Sequence, residues 1–544
     1  MIVLGLNTQH DGGCCLIRDG KVQFAISEER LTRIKGSRGF LYALRYCLSN
    51  AGISLSDVDL AVFSSYDEPL PADFRGGFDL FTPTPPRCTT LDHHLSHAWS
   101  AFLTSPFDEA LIIAIDGSGN GGGTESYFVG AGKSVRQVGS NQVRSYHRGV
   151  GKTYEAFTSF LGWTMMQSAH TMALAALGDP AAFADLEVFS NNDDQVNGLL
   201  RRKYVQGVVE FAREAGVEFG APFDRGQTKQ SRDVARFIQD RTEKAVVRYV
   251  RNLISMTGLK HICLSGGVAL NCVLNRRVLD DSGAEALWVV PCASDKGQCL
   301  GNALYGAHGI LDAPRPAPLR DDSFGCYYGD EEIRRVLDRR MELGNNFIVE
   351  APGIRYEKIA DPAAVAAKCL ADGRIVGWFQ GGSELGARAL GHRSILADPR
   401  DRRVSQRLSS TVKRREPFRP YAPSVLEEAA ATYFDLPCPS PFMQLVGRVR
   451  PEYRDSFPSV VHVDGTARIQ TVSSLTNPRY HRLIAEFGKL TGVPLVLNTS
   501  FNRRGEPIVE TPHDAIATLL STGIDVLLIE DYFVEKCGRP GLTA

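Results

Sequence analysis

The run from Leu91 to Gly123, LDHHLSHAWSAFLTSPFDEALIIAIDGSGNGGG, constrains this chain more than any other stretch. It reads as a histidine-bearing helix followed by an aliphatic strand that ends on Asp-Gly. His93 and His97 lie four apart and share one helix face, so both imidazoles can point at a single ion, whereas His94 faces elsewhere. Leu111 to Ile115 has no polar interruption, the pattern of a strand buried in a sheet, and it delivers Asp116 to the sheet's C-terminal edge. That edge is where α/β sheets place ligands. The glycines that follow, Gly117, Gly119 and Gly121 to Gly123, let backbone N–H groups approach an anion closely. A spaced histidine pair alone is commonly a surface or core feature. Asp116 adds a third ligand of suitable hardness, and Asp295 in PCASDKG, after the strand Leu287 to Val290, adds a fourth.

Length and composition narrow the class. At 544 residues the chain is too long for one core and should divide into two or three domains. The hydrophobic fraction of 43% and charged fraction of 23% fit an ordinary globular protein. No apolar run reaches transmembrane length, and Met1-Ile-Val-Leu-Gly starts a strand without the basic flank of a signal peptide, so a cytosolic location is expected. The 12 cysteines form no CxxC pair and several lie in apolar strands, which points to reduced, buried thiols. With 61 basic and 62 acidic residues, nothing in the balance asks for nucleic acid or an anionic membrane.

Taken in order, Ile2–Leu6, Cys14–Ile17 and Val22–Ile26 read as a β-meander that opens on the loop NTQHDGG, with Arg18-Asp19-Gly20-Lys21 as a tight turn. Leu41–Ala51 is a helix, Val58–Phe63 a strand, and Pro69–Pro86 a connector. Glu125–Val129 and Val135–Val143 are strands, Tyr154–Ala176 is helical, and Phe183–Thr228 reads as an irregular polar insertion. A long helix from Arg232 to Thr257 follows. His261–Leu264 is then a strand, Ser265-Gly266-Gly267 a sharp turn, and Val268–Leu279 a helix starting on the glycines, where free N–H groups could take a phosphate or nucleoside edge. Two Asp-bearing corners and two glycine loops in the same order suggest duplicated halves closing on one cleft. Prolines 314, 316 and 318 mark a linker. Beyond it, GGSELGARALGHRSI carries Arg388 and Arg393. KRREPFRP gathers Lys413, Arg414, Arg415 and Arg419, HVDGTARIQTV is a strand-turn-strand with Arg468, and LNTSFN places Asn498, Ser500 and Asn502 at a strand end. Forked guanidiniums converging from several loops suit phosphate or pyrophosphate.

Together GLNTQHDGG, HHLSHAWSAF, IDGSG, LSGGVALN, GARALGHRSILADPR, KRREPFRPYAPSVL, HVDGTARIQTV and LNTSFN resemble the O-carbamoyltransferases of antibiotic and nodulation-factor biosynthesis, the tobramycin carbamoyltransferase among them. The resemblance spans nearly the whole chain. It implies an α/β protein with a duplicated actin-like ATPase fold domain over residues 1–350 and a smaller YrdC-like α/β domain over residues 351–544. It implies that the second domain makes carbamoyl adenylate from ATP, as co-substrate with Mg(2+), and carbamoyl phosphate, and that the first passes the carbamoyl group to a hydroxyl of a sugar, aminoglycoside or macrolide-type acceptor. The metal ligands it implies are His93, His97, Asp116 and Asp295, with Fe(2+) as the ion, although two imidazoles and two carboxylates also suit Zn, Mn or Co. His10 matches the general base. Gly117, Gly266, Gly267 and Asn271 match the nucleotide-binding loops of the first domain; Arg388, Lys413, Arg419, Arg468, Asn498 and Ser500 match the adenylate-forming site. Where relatives carry Gly-Lys-x-Met-Gly-Leu-Ala, this chain has Ala169-His170-Thr171-Met172-Ala173-Leu174-Ala175. A homodimer is compatible with this reading. A tRNA threonylcarbamoyladenosine-type enzyme would share both folds; near-zero net charge speaks against a tRNA substrate.

Overall fold

The computed structural model describes residues 1–64, 86–142, 148–338, 341–343, 347–349, 353–416 and 418–537. It divides into two compact units: residues 1–29 with 36–319, and residues 30–35 with 320–544. The boundary read from sequence at residue 350 falls inside the second unit. All but the last residue of the Pro69–Pro86 connector lies outside the described residues, as do Val143 and Pro417.

The first unit contains two five-stranded mixed sheets of identical topology. In the first, Lys21–Ser27, Gly13–Arg18 and Ile2–Asn7 form an antiparallel meander, and Leu60–Ser64 and Arg87–Leu91 continue it in parallel with Ile2–Asn7. In the second, Ser134–Gln142, Gly123–Ala131 and Glu109–Ile115 form the meander, followed in parallel by His261–Ser265 and Ala286–Val289. Both therefore run third, second, first, fourth, fifth in chain order. The central strands are buried on both sides, as their unbroken aliphatic runs require. The first hairpin closes on Asp19 at φ 50° and Gly20 at φ 77°, the primed turn whose twist matches the strands.

The helix after the fifth strand of each half packs on the other half's sheet. His93–Leu103 lies on the second sheet, where a Cβ at Gly130 would stand 2.6 Å from the Phe102 ring. Gln298–Leu304 lies on the first sheet, where a Cβ at Gly5 would stand 2.0 Å from the Cys299 carbonyl oxygen and Asn302 Nδ2 donates to Leu6 O at 2.9 Å. Glycine at these positions is what lets helix and strand backbones come so close.

Three local expectations are corrected. Residues 183–228 are not irregular: they hold a short hairpin, Phe189–Asn191 with Val196–Gly198, and a helix, Tyr204–Glu214, whose narrow apolar face buries Val208 and Ala212 under an otherwise polar surface. The stretch 154–176 is two helices, Val150–Phe160 and Ser168–Ala175, broken where Gly162 adopts φ 93°. The glycines after His261–Ser265 start only a single 3₁₀ turn, Gly267–Leu270; the helix itself begins at Cys272, capped by Asn271, whose Oδ1 accepts from Leu274 N at 3.1 Å.

The second unit is built on an eight-stranded mixed sheet, ordered Ile354–Lys358, Tyr532–Lys536, Val526–Ile529, Val376–Phe379, Arg393–Ala397, Leu495–Ser500, Ala422–Leu426, Gln470–Val472. Alternate residues feed two cores: Ile395 and Leu497 on one face, Leu396 and Val496 on the other. The helix Pro478–Thr491 covers the second face with Tyr480, Leu483, Ile484 and Phe487, all fully buried, at helical spacing. Each contributes about 1.5–3 kcal/mol by burial. The expected strand-turn-strand around Arg468 is corrected too. Thr466–Arg468 pairs in a separate three-stranded sheet, and the chain crosses at Ile469 into Gln470–Val472 of the large one. Residues 30–35 complete this unit: Arg30 donates to the carbonyl oxygens of Glu384 and Gly386, and Arg33 to those of Pro507 and Ile508, at 2.7–3.0 Å.

Candidate active sites

In the first unit, Asp92 caps the helix His93–Leu103 by accepting from Leu95 N at 3.0 Å, which fixes the register that turns His93 and His97 to one side. Their ligand atoms and those of Asp116 and Asp295 lie within 4.8 Å of one another, and all four residues are buried. His93 Nε2 is 3.1 Å from Asp116 Oδ2 and 3.4 Å from Asp295 Oδ1; His97 Nε2 is 3.6 Å and 3.4 Å from the same atoms. A first-row divalent ion with bonds of about 2.0–2.2 Å sets its ligands roughly 3.0–3.5 Å apart. The spacing fits such an ion. So does the buried His97 Nε2, which has no hydrogen-bond partner despite those nearby oxygens. The groups behind the ligands fix their aim: His97 Nδ1 pairs with Ser265 Oγ at 3.0 Å, and Asp116 Oδ1 accepts from Gly267 N at 2.8 Å.

The repeat gives this geometry a logic. Asp116 directly follows the first strand of the second half; His10 stands in the corresponding loop of the first, three residues past Asn7. The paired histidines follow the fifth strand of one half, and Asp295 that of the other. His10 is exposed, with Nε2 3.2 Å from Asp295 Oδ2. Asn7 Nδ2 pins its loop by donating to the carbonyl oxygens of His10, Asp11 and Asp295 at 3.1–3.2 Å. The hydrogen bond to Asp11 raises the His10 pKa; burial opposes this and Asp295 adds to it.

Gly266 (φ 89°) and Gly267 close around Asp116. A Cβ at Gly266 would stand 2.2 Å from Ile115 O, and one at Gly267 3.0 Å from Asp116 Oδ1. Asn271 stands one turn on, its amide paired reciprocally with Gln239 at 3.0 and 3.2 Å. Gly117 lies beneath Lys152, 3.0 Å from its Nζ if a Cβ were present.

The second unit gathers the other set. Lys413 is buried at the end of a short turn, Ser409–Lys413. Its ammonium donates to Ser500 O and Oγ and to Asn502 O and Oδ1, all uncharged. Burial lowers its pKa well below the usual value, and Arg415, Arg419 and Lys35 lower it further. Burial likewise brings Arg415 down to about 10 and lowers Arg419, with Arg468 repelling both. Asn498 Nδ2 donates at 3.0 Å to Ala389 O, the residue after Arg388, and to Ser424 Oγ and Gln470 Oε1. Arg388 itself is half-buried in the glycine-rich loop. Lys413 thus has neutral acceptors and cationic neighbours, while Arg419 stands 3.8 Å from Glu416 Oε2; a buried cation with neutral acceptors is the condition under which an incoming anion is stabilised most.

The carbamoyltransferase N-terminus family matches residues 2–83 and 76–304, and the carbamoyltransferase C-terminus family matches residues 367–536. The chain belongs to the carbamoyltransferase family. Among curated relatives, nodulation protein NolNO of Sinorhizobium fredii is 37% identical over 97% of this chain and 79% of its own length. Nodulation protein NolO of Bradyrhizobium diazoefficiens is 37% identical over 82% of this chain and 79% of its own. An uncharacterized Synechocystis protein, sll1178, is 34% identical over 99% and 97%. Among solved structures, full-length HypF in the phosphate- and nucleotide-bound form aligns at TM-score 0.34 and 13% identity, covering 57% of this chain and 56% of that one.

Several residues of this carbamoyltransferase's sites escaped sequence reading. Arg415, 3.8 Å over the Tyr421 ring, looked like one more charge in a basic run. Asn502 was legible as a strand-end amide but not as an acceptor for Lys413. Lys152 lies just ahead of the helix expected from Tyr154 and Glu155 inside it, and neither was singled out. The altered segment Ala169–Ala175 forms part of the helix Ser168–Ala175, with His170 against Trp163 at 5.5 Å between ring centroids.

Metal binding by the carbamoyltransferase should depend steeply on pH. Burial opposes charge on His93, but the Asp295 and Asp116 carboxylates outweigh it and raise its pKa to about 10. The metal-free site therefore keeps a proton on His93 through neutral pH, and an incoming ion must displace it. Apparent affinity for Zn(2+) or Co(2+) should rise about tenfold per pH unit between pH 7 and 9. Chelator competition at each pH tests this; a flat profile would contradict it.

Proposed function

We propose that this carbamoyltransferase makes carbamoyl adenylate in its second unit and transfers the carbamoyl group to a small-molecule hydroxyl in its first. The reading takes the first unit as an actin-like ATPase fold, supported by its repeated five-stranded sheets, and the second as YrdC-like. ATP, as its Mg(2+) complex, and carbamoyl phosphate react with consumption of one water to give carbamoyl adenylate, pyrophosphate and phosphate. The acceptor is a sugar, aminoglycoside or macrolide-type alcohol, and the setting is cytoplasmic; no helix among the described residues is long and apolar enough to cross a membrane.

The observation that carries the reading is Lys413: a buried ammonium whose hydrogen-bond acceptors are neutral and on which Arg415, Arg419 and Lys35 press with like charge. Such a nest is stabilised by a polyphosphate, with Arg419 and Arg468 adding forked donors. Adenylation keeps the carbamoyl group activated and adds an adenosine handle whose binding energy can orient the reacting carbonyl. In the first unit His93, His97, Asp116 and Asp295 would hold a divalent ion, Fe(2+) by resemblance, which supplies Lewis-acid polarisation of the carbamoyl or phosphate oxygen. His10, at the edge of that cage, takes the alcohol's proton. Gly117, Gly266, Gly267 and Asn271 are the residues this reading assigns to the nucleotide in the first unit.

Pyrophosphate release from ATP that requires carbamoyl phosphate is the deciding assay. Release independent of carbamoyl phosphate, or none, would overturn the reading. Lys413→Ala should reduce that release by at least about 10²-fold, since two or more charge-assisted hydrogen bonds of about 1.5–3 kcal/mol each are lost. Supplied carbamoyl adenylate should still be consumed by the variant. Bulk tRNA should not shift in a gel at physiological salt.

A further inference from the structure

The helix Val150–Phe160 brings a charged pair to the first site. Its first turn abuts Asp116, because a Cβ at Gly151 would stand 3.0 Å from the Asp116 carbonyl oxygen. Lys152 Nζ is 2.8 Å from Glu155 Oε2, and both side chains are only about one-fifth exposed, at 20% and 21%. The pair lies over Gly117: a Cβ there would be 3.0 Å from Lys152 Nζ and 3.6 Å from Glu155 Oε1. Ion pairs of this spacing on outer helix faces do little for stability and need no particular partner. This one is turned toward the glycine loop that follows a candidate metal ligand.

Charge balance gives the pair a use. Two neutral imidazoles and two carboxylates offset a divalent ion, so an adenylate phosphate would bring one negative charge that the cage does not answer. An ammonium above Gly117 answers it, and lysine serves such phosphates as a compact point charge. We propose that Lys152 contacts the phosphate of the adenylate in the first unit, and that Glu155 holds the ammonium in place until that phosphate arrives. The assignment rests on the carbamoyl adenylate reading above and names the residue that recognises its anionic part. Lys152 moves from a carboxylate to a phosphate oxygen; no covalent bond changes.

The experiment is equilibrium binding of AMP and of adenosine to the metal-loaded full chain carrying Lys413→Ala, so that the second unit's anion site does not contribute. In that background AMP should bind about tenfold or more tighter than adenosine. Lys152→Ala should weaken AMP about 10–100-fold while leaving adenosine unchanged, and Lys152→Arg should restore most of the difference. Glu155→Gln should tighten AMP several-fold, because it removes the competing anion. A purely structural ion pair predicts the opposite pattern: both variants would weaken AMP and adenosine alike, and that result overturns the proposal. Retention of the AMP preference in Lys152→Ala overturns this assignment alone. Failure of the background chain to bind either compound overturns the adenylate reading and this assignment with it.

Discussion

His93→Ala abolishes transfer to the acceptor and strips the metal while leaving pyrophosphate release near the wild-type rate. The expectation starts from geometry: His93 Nε2 lies 3.1 and 3.4 Å from two carboxylate oxygens in a buried cage, so alanine leaves a void lined by Asp116 and Asp295 with one cationic partner gone. Loss of a group one bond further from a metal typically costs 10–100-fold in affinity. Loss of a ligand should exceed that, taking bound metal below stoichiometry under dialysis. Lys413 and its neighbours belong to the other unit, so adenylate formation should persist. Metal analysis and pyrophosphate release on the same preparation check both halves. Equal metal content in variant and wild type would remove His93 from the ligand set.

The second large effect is at His10. Its ring is exposed, its loop is fixed through Asn7, and Nε2 approaches Asp295 at 3.2 Å, so it can reach both the cage and a molecule arriving from solvent. The nearby carboxylates raise its pKa, which favours the imidazolium; a cation in the cage offsets that field and returns the ring toward the neutral form that accepts a proton. Asparagine matches the shape and cannot act as a base. Single-turnover transfer from preformed adenylate should fall by about 10²–10⁴ in His10→Asn, with metal content and adenylate formation unchanged. The adenylate should accumulate. Transfer within a few-fold of wild type would return His10 to an ordinary turn residue.

What the sequence disclosed follows from which interactions are local. Strands such as Leu111–Ile115 announced themselves by unbroken aliphatic runs, and helix His93–Leu103 by its spacing. The two histidines and two aspartates stood out because each sits at a strand or helix corner. The helix Tyr204–Glu214 was hidden because only a thin apolar stripe is buried, and the start at Cys272 because Asn271 looked like a ligand rather than a cap. Pairings across long stretches of chain left no local mark. Lys413 with Asn502 and Lys152 over Gly117 are contacts that periodicity cannot announce.

The short segment 30–35 carries a consequence for biosynthesis. It belongs to the second unit through Arg30 and Arg33, yet it is translated before almost the whole of the first. At about 5–20 residues per second its partners, Glu384, Gly386, Pro507 and Ile508, emerge on the order of tens of seconds later. Until then the segment waits, solvated, for its docking place. A gene cut at residue 320 would therefore not yield a complete second unit. It would express a sheet lacking two guanidinium tethers, Arg30 on the glycine-rich loop and Arg33 on the carbonyls of Pro507 and Ile508, and supplying residues 30–35 as a fused leader would be the natural repair.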